Sequence, residues 1–356
     1  MENKGLLFIP DISGFTRFVS ETEIEHSTLI IQELLEVLID SNEIGLQISE
    51  IEGDAILFYR FGEPPSLEDV YRQVEKMFCS FHKSLISYDH RRYCLCKACN
   101  SANSLTLKVI THYGEFTSYS VQNFHKLIGK DIIIAHQLLK NDITTHEYWL
   151  VTDKLVPGHP LSGIKDWMEW NTSTKQTENG NIPFHFTQLS PLRDIIEVDP
   201  PTRVTFADKT KAFSVSRDYS TDFITLFHAA GDFTYRSQWQ EGIKGVELID
   251  HYLPRVGMRC KTVLENGEAF IYSSSYFYSD EKLEFSETNE TDKTITNYTI
   301  DILGEKKSKL TIDYYVNGGF INTLLFNLFK NKKMEENFKR SLVNLEAFAK
   351  TLVIPA

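Results

Sequence analysis

The sequence predicts two α+β domains joined by a linker. Strand-like runs and amphipathic helices alternate over the first half of the chain. The segment "SPLRDIIEVDPPTRV" then holds three prolines and shows little periodicity, which is typical of a linker. Beyond it, successive strand-like runs end in one long amphipathic helix. We therefore predict domains at residues 1–190 and 205–356, with the linker at 191–204.

The first domain is predicted to alternate strands and helices in the order β-α-β-β-α-β-α-β. A strand at Gly5–Ile12 precedes one long helix, roughly Ser20–Ser41, and then the strands "IGLQISEIE" and "DAILFYRFG" meet at Gly53–Asp54. A second helix covers about Ser66–Tyr88 and is followed by the strand "LTLKVITHYGEF". The helix "GKDIIIAHQLLKN", entered through Gly129, and the strand "EYWLVTD" complete the pattern. This order favours an α+β sandwich with a mostly antiparallel sheet.

The second domain reads as a strand meander closed by a helix. A strand near Ala212–Ser216 leads into the helix-like "STDFITLFHAAGDF". The strand-like runs are "RCKTVLEN", "EAFIYSSSYFYS", "KLEFSETNE", "KTITNYTID" and "SKLTIDYYVN". The last helix, about Gly319–Leu352, carries an apolar stripe along one face. A meander wrapped on such a helix is expected to enclose an apolar interior.

The net charge, the apolar runs and the number of cysteines exclude several classes of protein. The net charge of −12 over 356 residues works against binding to nucleic-acid backbones. The apolar run at the start is too short for a signal peptide, and the longest apolar stretch is too short for a membrane span. Five cysteines do not form the pattern of a disulfide framework. We expect a cytoplasmic protein with no nucleic-acid partner and no membrane span.

Four motifs in the first domain carry a family resemblance. "FIPDISGFT", "ISEIEGDAILFY", "VITHYGEF" and "LIGKDIIIAHQL" occur in the order and spacing of the class III nucleotide cyclase homology domain. The chain resembles this family over about residues 5–190, in a degenerate form similar to the uncharacterised DUF2652-like families. The resemblance implies a ferredoxin-like, class III cyclase-type α/β sandwich and a dimer.

The resemblance also implies a metal and nucleotide site. The family's two metal-binding aspartates correspond to Asp11 and Asp54, which would hold Mg²⁺ or Mn²⁺. Two such ions activate the ribose hydroxyl and neutralise the triphosphate. Backbone N–H groups at Gly14, Phe15 and Thr16 would face the phosphates of a nucleoside triphosphate. The alternative for Asp11 is an ordinary turn aspartate.

Other family positions hold unusual residues. Glu50 occupies a purine-selecting position and resembles the guanylate type, while Lys126 at the partner position fits neither standard pair. The alternative for Glu50 is a surface strand residue. The family's transition-state asparagine and arginine correspond to Ile133 and Gln137. Losing one such donor removes about 3–4 kcal/mol of transition-state stabilisation.

These departures lead to three hypotheses of function. The first is a non-catalytic or atypical cyclase-like protein that binds metal or nucleotide. The second is an active cyclase, guanylate-type or using another nucleoside triphosphate. It would work as a heterodimer with a complete partner, or with Lys130 or His136 replacing the missing groups. The third is a scaffold or binding protein in which both aspartates are relics.

Clustered cysteines indicate a second metal site. "RRYCLCKACNS" holds Cys94, Cys96 and Cys99, and zinc requires four nitrogen or sulfur ligands. Cys79, or a histidine on the preceding helix or just before the cluster, is available as the fourth ligand. We expect structural zinc; the alternatives are plain thiols, and an iron–sulfur cluster or redox role.

The second domain, about residues 205–352, resembles the START-like (SRPBCC) helix-grip fold in architecture. The resemblance implies a cavity for a hydrophobic small molecule, whose binding could be coupled to metal or nucleotide binding in the first domain. Five aromatic residues are candidates for its lining: Phe227, Trp239, Tyr276, Phe285 and Phe338. Each of them is also a normal residue of a packed core.

Overall fold

The computed structural model describes residues 3–92, 94, 96–122, 124–156, 161, 164–177, 180–197, 204–249, 255–265, 267–318 and 331–352. The chain divides into two compact units. Unit 1 comprises Met1–Ser87 and Ser101–Val198, and unit 2 comprises Tyr88–Asn100 and Asp199–Ala356. The short segment that carries the clustered cysteines is therefore counted with the C-terminal part of the chain.

Unit 1 is built on a seven-stranded sheet of order β2-β3-β1-β4-β7-β9-β8. Its strands are β1 (Lys4–Ser13), β2 (Gln47–Glu52), β3 (Ala55–Phe61), β4 (Thr106–Glu115), β7 (Tyr148–Thr152), β8 (Asn171–Thr177) and β9 (Gly180–Gln188). The β4–β7 pair is parallel, whereas β1 pairs antiparallel with both β3 and β4. Strands β5 (Thr117–Val121) and β6 (Phe124–Ile128) form a separate hairpin.

The helices of unit 1 follow the predicted order. They are α1 (Phe15–Glu21), α2 (Ile24–Asp40), α3 (Leu67–Arg91) and, after the short α4, α5 (Lys130–Leu139). The last turn of α3 and nearly all of α4 (Lys97–Ser101) are counted with unit 2. Helix α5 lies against β1 and β4. Its apolar face is buried in a core that includes Leu7, Ile9, Ile110, Ile132, Ala135, Leu138 and Leu150.

Two sequence predictions for unit 1 are wrong in detail. The single long helix from Ser20 is two helices, because Thr22 is extended and its hydroxyl donates to the Phe18 carbonyl at 2.6 Å. Such side-chain bonds to the backbone compete with helix continuation. The two hairpins β5–β6 and β8–β9 were not predicted, since most of the residues of β5 and β8 are exposed and show no apolar alternation.

Unit 2 has a seven-stranded antiparallel sheet of order β10-β16-β15-β14-β13-β12-β11. The strands are β10 (Lys209–Tyr219), β11 (Ile243–Leu248), β12 (Arg259–Leu264), β13 (Gly267–Tyr278), β14 (Lys282–Asn289), β15 (Ile295–Gly304) and β16 (Lys307–Asn317). The helices are α6 (Phe223–Gly231), α7 (Arg236–Trp239) and α8 (Asn331–Ala349). All strands predicted from the sequence are present, and β11 is an addition.

The meander and the C-terminal helix share one apolar core, as the helix-grip prediction requires. Phe338, Leu342 and Leu345 of α8 are buried in it together with residues of β10, β14, β15 and β16. Residues 319–330 of the predicted last helix lie outside the described residues, as do residues 198–203 of the predicted linker. The predicted fold class, α+β in both parts of the chain, is confirmed.

Candidate functional site

Asp11 and Asp54 lie at the same end of the β1–β3 pair. Asp11 is opposite Ala55 in the strand register, and the Ile12 N–H donates to the Asp54 carbonyl at 2.9 Å. The pKa of Asp11 is raised to about 6, mainly by burial and also by the charge of Asp54, against the opposing effect of Lys108. Burial also raises the pKa of Asp54. The structure therefore brings the two predicted metal ligands together.

Lys108 is a further residue of this candidate site, and it was not predicted from the sequence. It stands on β4 directly opposite Asp11, and its Nζ lies 3.3 Å from Asp11 Oδ1. The same ammonium group donates to the Leu139 carbonyl at 3.3 Å. A signal was available, because Lys108 interrupts the otherwise apolar "LTLKVI" of an internal strand. The positive charge of Lys108 neutralises part of the negative charge of Asp11, as a bound metal ion would.

The turn after Asp11 leads directly into helix α1. Gly14 has φ +91° and is followed by α1, whose first N–H groups have no partner within the helix. Thr16 is exposed, and Phe15 is half-buried next to Gly53 of the β2–β3 turn. The predicted phosphate-facing residues thus lie between the two aspartate-bearing segments.

The two predicted purine-selecting residues bind each other. The Lys126 ammonium group forms an ion pair with the Glu50 carboxylate. His136 on α5 lies 3.9 Å from Glu50 and 3.8 Å from Glu52. The side chain of Glu50 is only 16% exposed, which does not fit the alternative of a plain surface residue. The carboxylate expected to bind a guanine is instead engaged by a cation of its own chain.

Helix α5 carries no side-chain donor at the predicted asparagine position and no positive charge at the predicted arginine position. Ile133 is 54% exposed, and an aliphatic side chain cannot donate a hydrogen bond. The Gln137 Oε1 atom is buried and has no hydrogen-bond partner among the described residues. A neutral amide in this position supplies no positive charge to a phosphoryl group.

A buried network around Asp131 fixes the start of α5. Asp131 accepts hydrogen bonds from His112 Nε2 at 2.9 Å, from the Glu115 N–H at 2.7 Å and from Lys154. Although burial alone would raise its pKa, these donors hold the pKa of Asp131 well below its usual range. A Cβ on Gly114 would lie 2.2 Å from the Asp131 carboxyl carbon, so only glycine fits there. This network was not predicted from the sequence.

The three clustered cysteines form a compact group. The sulfur atoms of Cys94, Cys96 and Cys99 lie within 4.8 Å of one another, and all three residues are buried. The Tyr88 hydroxyl donates to Cys99 Sγ at 2.9 Å, and the Cys99 N–H donates to Cys96 Sγ at 3.4 Å. Hydrogen bonds with the other two thiols, together with burial, raise the pKa of Cys99. A bound cation would reverse this preference for the thiol, since thiolates are the metal-binding form.

The predicted fourth ligand does not join this group. Cys79 lies on α3 and is half-buried, and burial together with Glu75 raises its pKa to about 11. His82 is buried, and burial together with the charge of Arg193 lowers its pKa to about 3. Cys260 lies in the small core cluster with Phe233, as expected for a buried apolar residue.

Unit 2 contains a cavity of about 410 Å³ bordered by α8 and by strands β11 to β16. Of the five aromatic residues predicted to line it, only Phe338 does so. Phe227, Trp239 and Phe285 are buried in the apolar core, and Tyr276 packs against that core. The ring of Phe227 contacts those of Tyr276 and Phe285. Phe285 in turn stacks on Tyr298 with the ring centroids 4.5 Å apart, because large rings are buried most fully by other rings.

Comparisons with known proteins find relatives of this chain but assign no function to it. Residues 31–148 match the family described as a protein of unknown function, DUF2652. An uncharacterised protein of Mycobacterium tuberculosis (strain ATCC 25618 / H37Rv) is 31% identical over 130 residues, which are 34% of this chain and 56% of that protein. The chain therefore spans about half the length of the curated relative that it matches.

The chain is also similar to solved structures of two cyclases and of a START superfamily protein. A bacterial light-regulated adenylyl cyclase has a TM-score of 0.39 with 12% identity over 55% of this chain and 98% of that one. The guanylate cyclase domain of RhGC from Catenaria anguillulae, solved with GTP, has a TM-score of 0.36 with 14% identity over 52% and 97%. A START superfamily protein from Mycobacterium smegmatis has a TM-score of 0.30 with 17% identity over 40% and 98%. Among the described residues, no helix is long and apolar enough to cross a membrane.

Proposed function

We propose that this protein is a non-catalytic, class III cyclase-like protein that binds a nucleotide in unit 1 and a small molecule in unit 2. The observation that carries the proposal is the pair of residues on α5, an exposed Ile133 and a neutral Gln137. Cyclisation needs donors and positive charge at these two positions. Without them, a chain paired with a copy of itself lacks roughly 3–4 kcal/mol of transition-state stabilisation for each lost donor.

Asp11 and Asp54 are chemically suited to a hard divalent cation. Carboxylate oxygens are the ligands that Mg²⁺ and Mn²⁺ prefer, and two neighbouring carboxylates with raised pKa values favour a cation between them. When bound, such an ion would neutralise the charge of a triphosphate. Lys108 opposes it, because an entering dication is repelled by the ammonium group 3.3 Å from Asp11. We therefore infer weak metal binding in the absence of nucleotide.

The Glu50–Lys126 ion pair bears on the choice of base. A guanine could use the Glu50 carboxylate only after Lys126 is displaced from it. We infer that unit 1 binds nucleotides mainly through the phosphates and discriminates little between purines. The guanylate-type selectivity suggested by Glu50 alone is therefore not part of the proposal.

An activity screen tests the proposal. Purified protein is incubated with Mn²⁺ and each of the four nucleoside triphosphates, and products are detected by mass. We expect no cyclic nucleotide, while titration calorimetry with the same triphosphates shows binding that weakens in Asp54→Ala. Cyclic product that disappears in Asp54→Ala would show that the chain is an enzyme.

A second candidate function is that of an enzyme with a different chain as partner. The adjacency of Asp11 and Asp54 favours it, because the two predicted metal ligands lie at the same end of the β1–β3 pair. The test mixes this protein with a class III cyclase variant that retains the asparagine and arginine but has alanine at both metal aspartates. Cyclic product from the mixture, and from neither chain alone, would favour the heterodimeric enzyme.

The cysteine group is proposed to hold structural zinc. Three buried thiols within 4.8 Å provide three of the four ligands that zinc needs. We expect about one equivalent of zinc in the purified protein, reduced strongly in Cys96→Ser and unchanged in Cys260→Ser, a buried cysteine outside the group. Zinc well below one equivalent in the unaltered protein would rule out this assignment.

The free thiols of the cysteine group also support the proposed cytoplasmic location. The dimer stays a prediction from the cyclase resemblance.

A further inference from the structure

The cavity of unit 2 has a mixed polar and apolar lining, unlike the apolar container expected from the sequence. Ten of the residues that line it have polar side chains, among them three threonines, two asparagines and three glutamates. Aliphatic and aromatic side chains, including Phe338, Tyr314 and Ile271, make up most of the rest. A lipid chain in this space would remove water from hydroxyl, amide and carboxylate groups without replacing their hydrogen bonds, at roughly 1–3 kcal/mol for each group.

The inner wall of the cavity contains a buried carboxylate. Glu287 is 4% exposed and lines the cavity, and on its other side Arg236 and the Tyr298 hydroxyl bind it. Arg236 does not line the cavity, and its guanidinium is held between the rings of Trp239 and Tyr298. Each carboxylate oxygen has two lone pairs, so Glu287 retains acceptor capacity for a ligand. Thr262, 2% exposed, adds a buried hydroxyl to the same lining.

The charge of the lining has one sign. Glu241, Glu265 and Glu287 line the cavity, and no lysine, arginine or histidine is among its lining residues in the described part of the chain. The nearest cation to Glu241 is Arg340, whose Nε lies 3.9 Å away and whose side chain is 57% exposed. Arg236 balances the charge of Glu287, so the net negative charge of the lining comes from Glu241 and Glu265. These two carboxylates would repel an anionic ligand, such as a fatty acid, and attract a cation.

The geometry points to a ligand that carries a protonated amine and at least one further hydrogen-bonding group. Its ammonium group would lie near the lining carboxylates, its polar groups would bond the threonine hydroxyls, and an apolar portion would contact Phe338 and Tyr314. A cation next to an aromatic face gains about 0.5–2 kcal/mol. The volume of about 410 Å³ falls in the range of small-molecule sites. This inference rests on the proposal that unit 2 binds a small molecule, and names its chemical class.

The experiment uses the full chain and three probes of similar size that share a phenol group: tyramine, tyrosol and 3-(4-hydroxyphenyl)propionate, together with dodecanoate as a lipid. Affinities are measured by ligand-observed NMR and calorimetry. We expect the amine to bind at least about tenfold more tightly than the alcohol and the acid. The double variant E241Q/E265Q should reduce that preference at least threefold, or about 0.7 kcal/mol. The control variant E247Q/E268Q should leave the preference unchanged. It alters two exposed glutamates, on β11 and β13, that pair with Lys261 outside the cavity.

A second pair of variants locates the probe. Thr296 lines the cavity and Thr299 of the same strand does not, so T296V should weaken amine binding and T299V should leave it unchanged. Preferential binding of dodecanoate, or equal effects of the two threonine variants, would overturn the inference but leave a small-molecule function for unit 2. Absence of binding by every probe up to about 10 mM would overturn both.

Discussion

Two buried aspartates of unit 1 contrast in what their surroundings do to the carboxylate. Asp11 has one ion pair, with Lys108 at 3.3 Å, and burial raises its pKa to about 6. Asp131 is similarly buried, but His112, Lys154 and the Glu115 N–H all donate to it, and its pKa lies well below the usual range. The number of donors that reach the carboxylate accounts for this difference, since a backbone N–H and two side chains offset the loss of water.

The contrast separates a structural carboxylate from one that can bind a ligand. Asp131 has its acceptor capacity engaged by groups that tie α5 to the sheet, so it is not available to a ligand. Among the described residues, Lys108 alone donates to the Asp11 side chain, and the carboxylate of Asp54 repels it. Any further cation would therefore stabilise the charged form of Asp11. Four predictions test this reading.

The largest effect is expected from removing the charge of Asp131. Asp131→Asn should lower the free energy of unfolding by about 3 kcal/mol, because its amide cannot accept from all three donors and leaves buried groups unpaired. Asp11→Asn should change it by less than about 1 kcal/mol. Chemical denaturation at pH 7 measures both. Equal losses in the two variants would remove the distinction.

The dependence of stability on pH should differ between the same two residues. Because the pKa of Asp11 is raised in the folded state, the folded protein binds this proton at a higher pH than the unfolded chain does. The contribution of Asp11 to the free energy of unfolding therefore increases as the pH falls from about 6 to about 4. The unaltered protein should gain roughly 2 kcal/mol relative to Asp11→Asn over this interval. For Asp131, whose pKa is lowered, the stabilisation is present above about pH 4 and is lost only at lower pH.

The measurement is denaturation of each variant in parallel with the unaltered protein, in buffer with a chelator, from pH 7 to pH 4. The difference between the unaltered protein and Asp131→Asn should stay constant between pH 7 and pH 5. A constant difference for Asp11→Asn over the same interval would contradict the raised pKa.

A third prediction concerns Lys108 as the cation of the site. Lys108→Gln should raise the affinity for Mn²⁺ about tenfold, or about 1.4 kcal/mol, because two carboxylates then face each other without a neighbouring ammonium group. Calorimetry or the electron paramagnetic resonance signal of free Mn²⁺ gives the constant. Lys126→Gln is the matched control, since Lys126 pairs with Glu50 instead. The reading fails if both lysine variants bind Mn²⁺ alike.

The smallest effect is expected at the Glu50–Lys126 pair. Lys126 is 45% exposed, and partly exposed ion pairs add little to stability. Lys126→Gln should lower the free energy of unfolding by less than about 1 kcal/mol, while freeing Glu50 and increasing the preference for GTP over ATP in binding titrations. A loss of several kcal/mol would mean that the pair holds the β5–β6 hairpin in place.

The sequence by itself determined the fold class, most of the elements and the adjacency of Asp11 and Asp54. Apolar periodicity and glycine positions are local signals, and they placed β1, β3, β4 and α5 well. The two aspartates could be paired because tight hairpins and family motifs fix register locally. The exposed hairpin β5–β6 and the break at Thr22 gave no such signal.

Only the tertiary structure decided which side chains meet across the sheet. Lys108 reaches Asp11, and Asp131 meets His112, because strands and helices distant in sequence are brought together by packing. In unit 2 the aromatic residues expected to line a cavity pack in the core, and Phe338 alone among them also borders the space. Composition shows how many rings must be buried, but the sheet and the helix determine which of them contact each other and which groups are left facing a ligand.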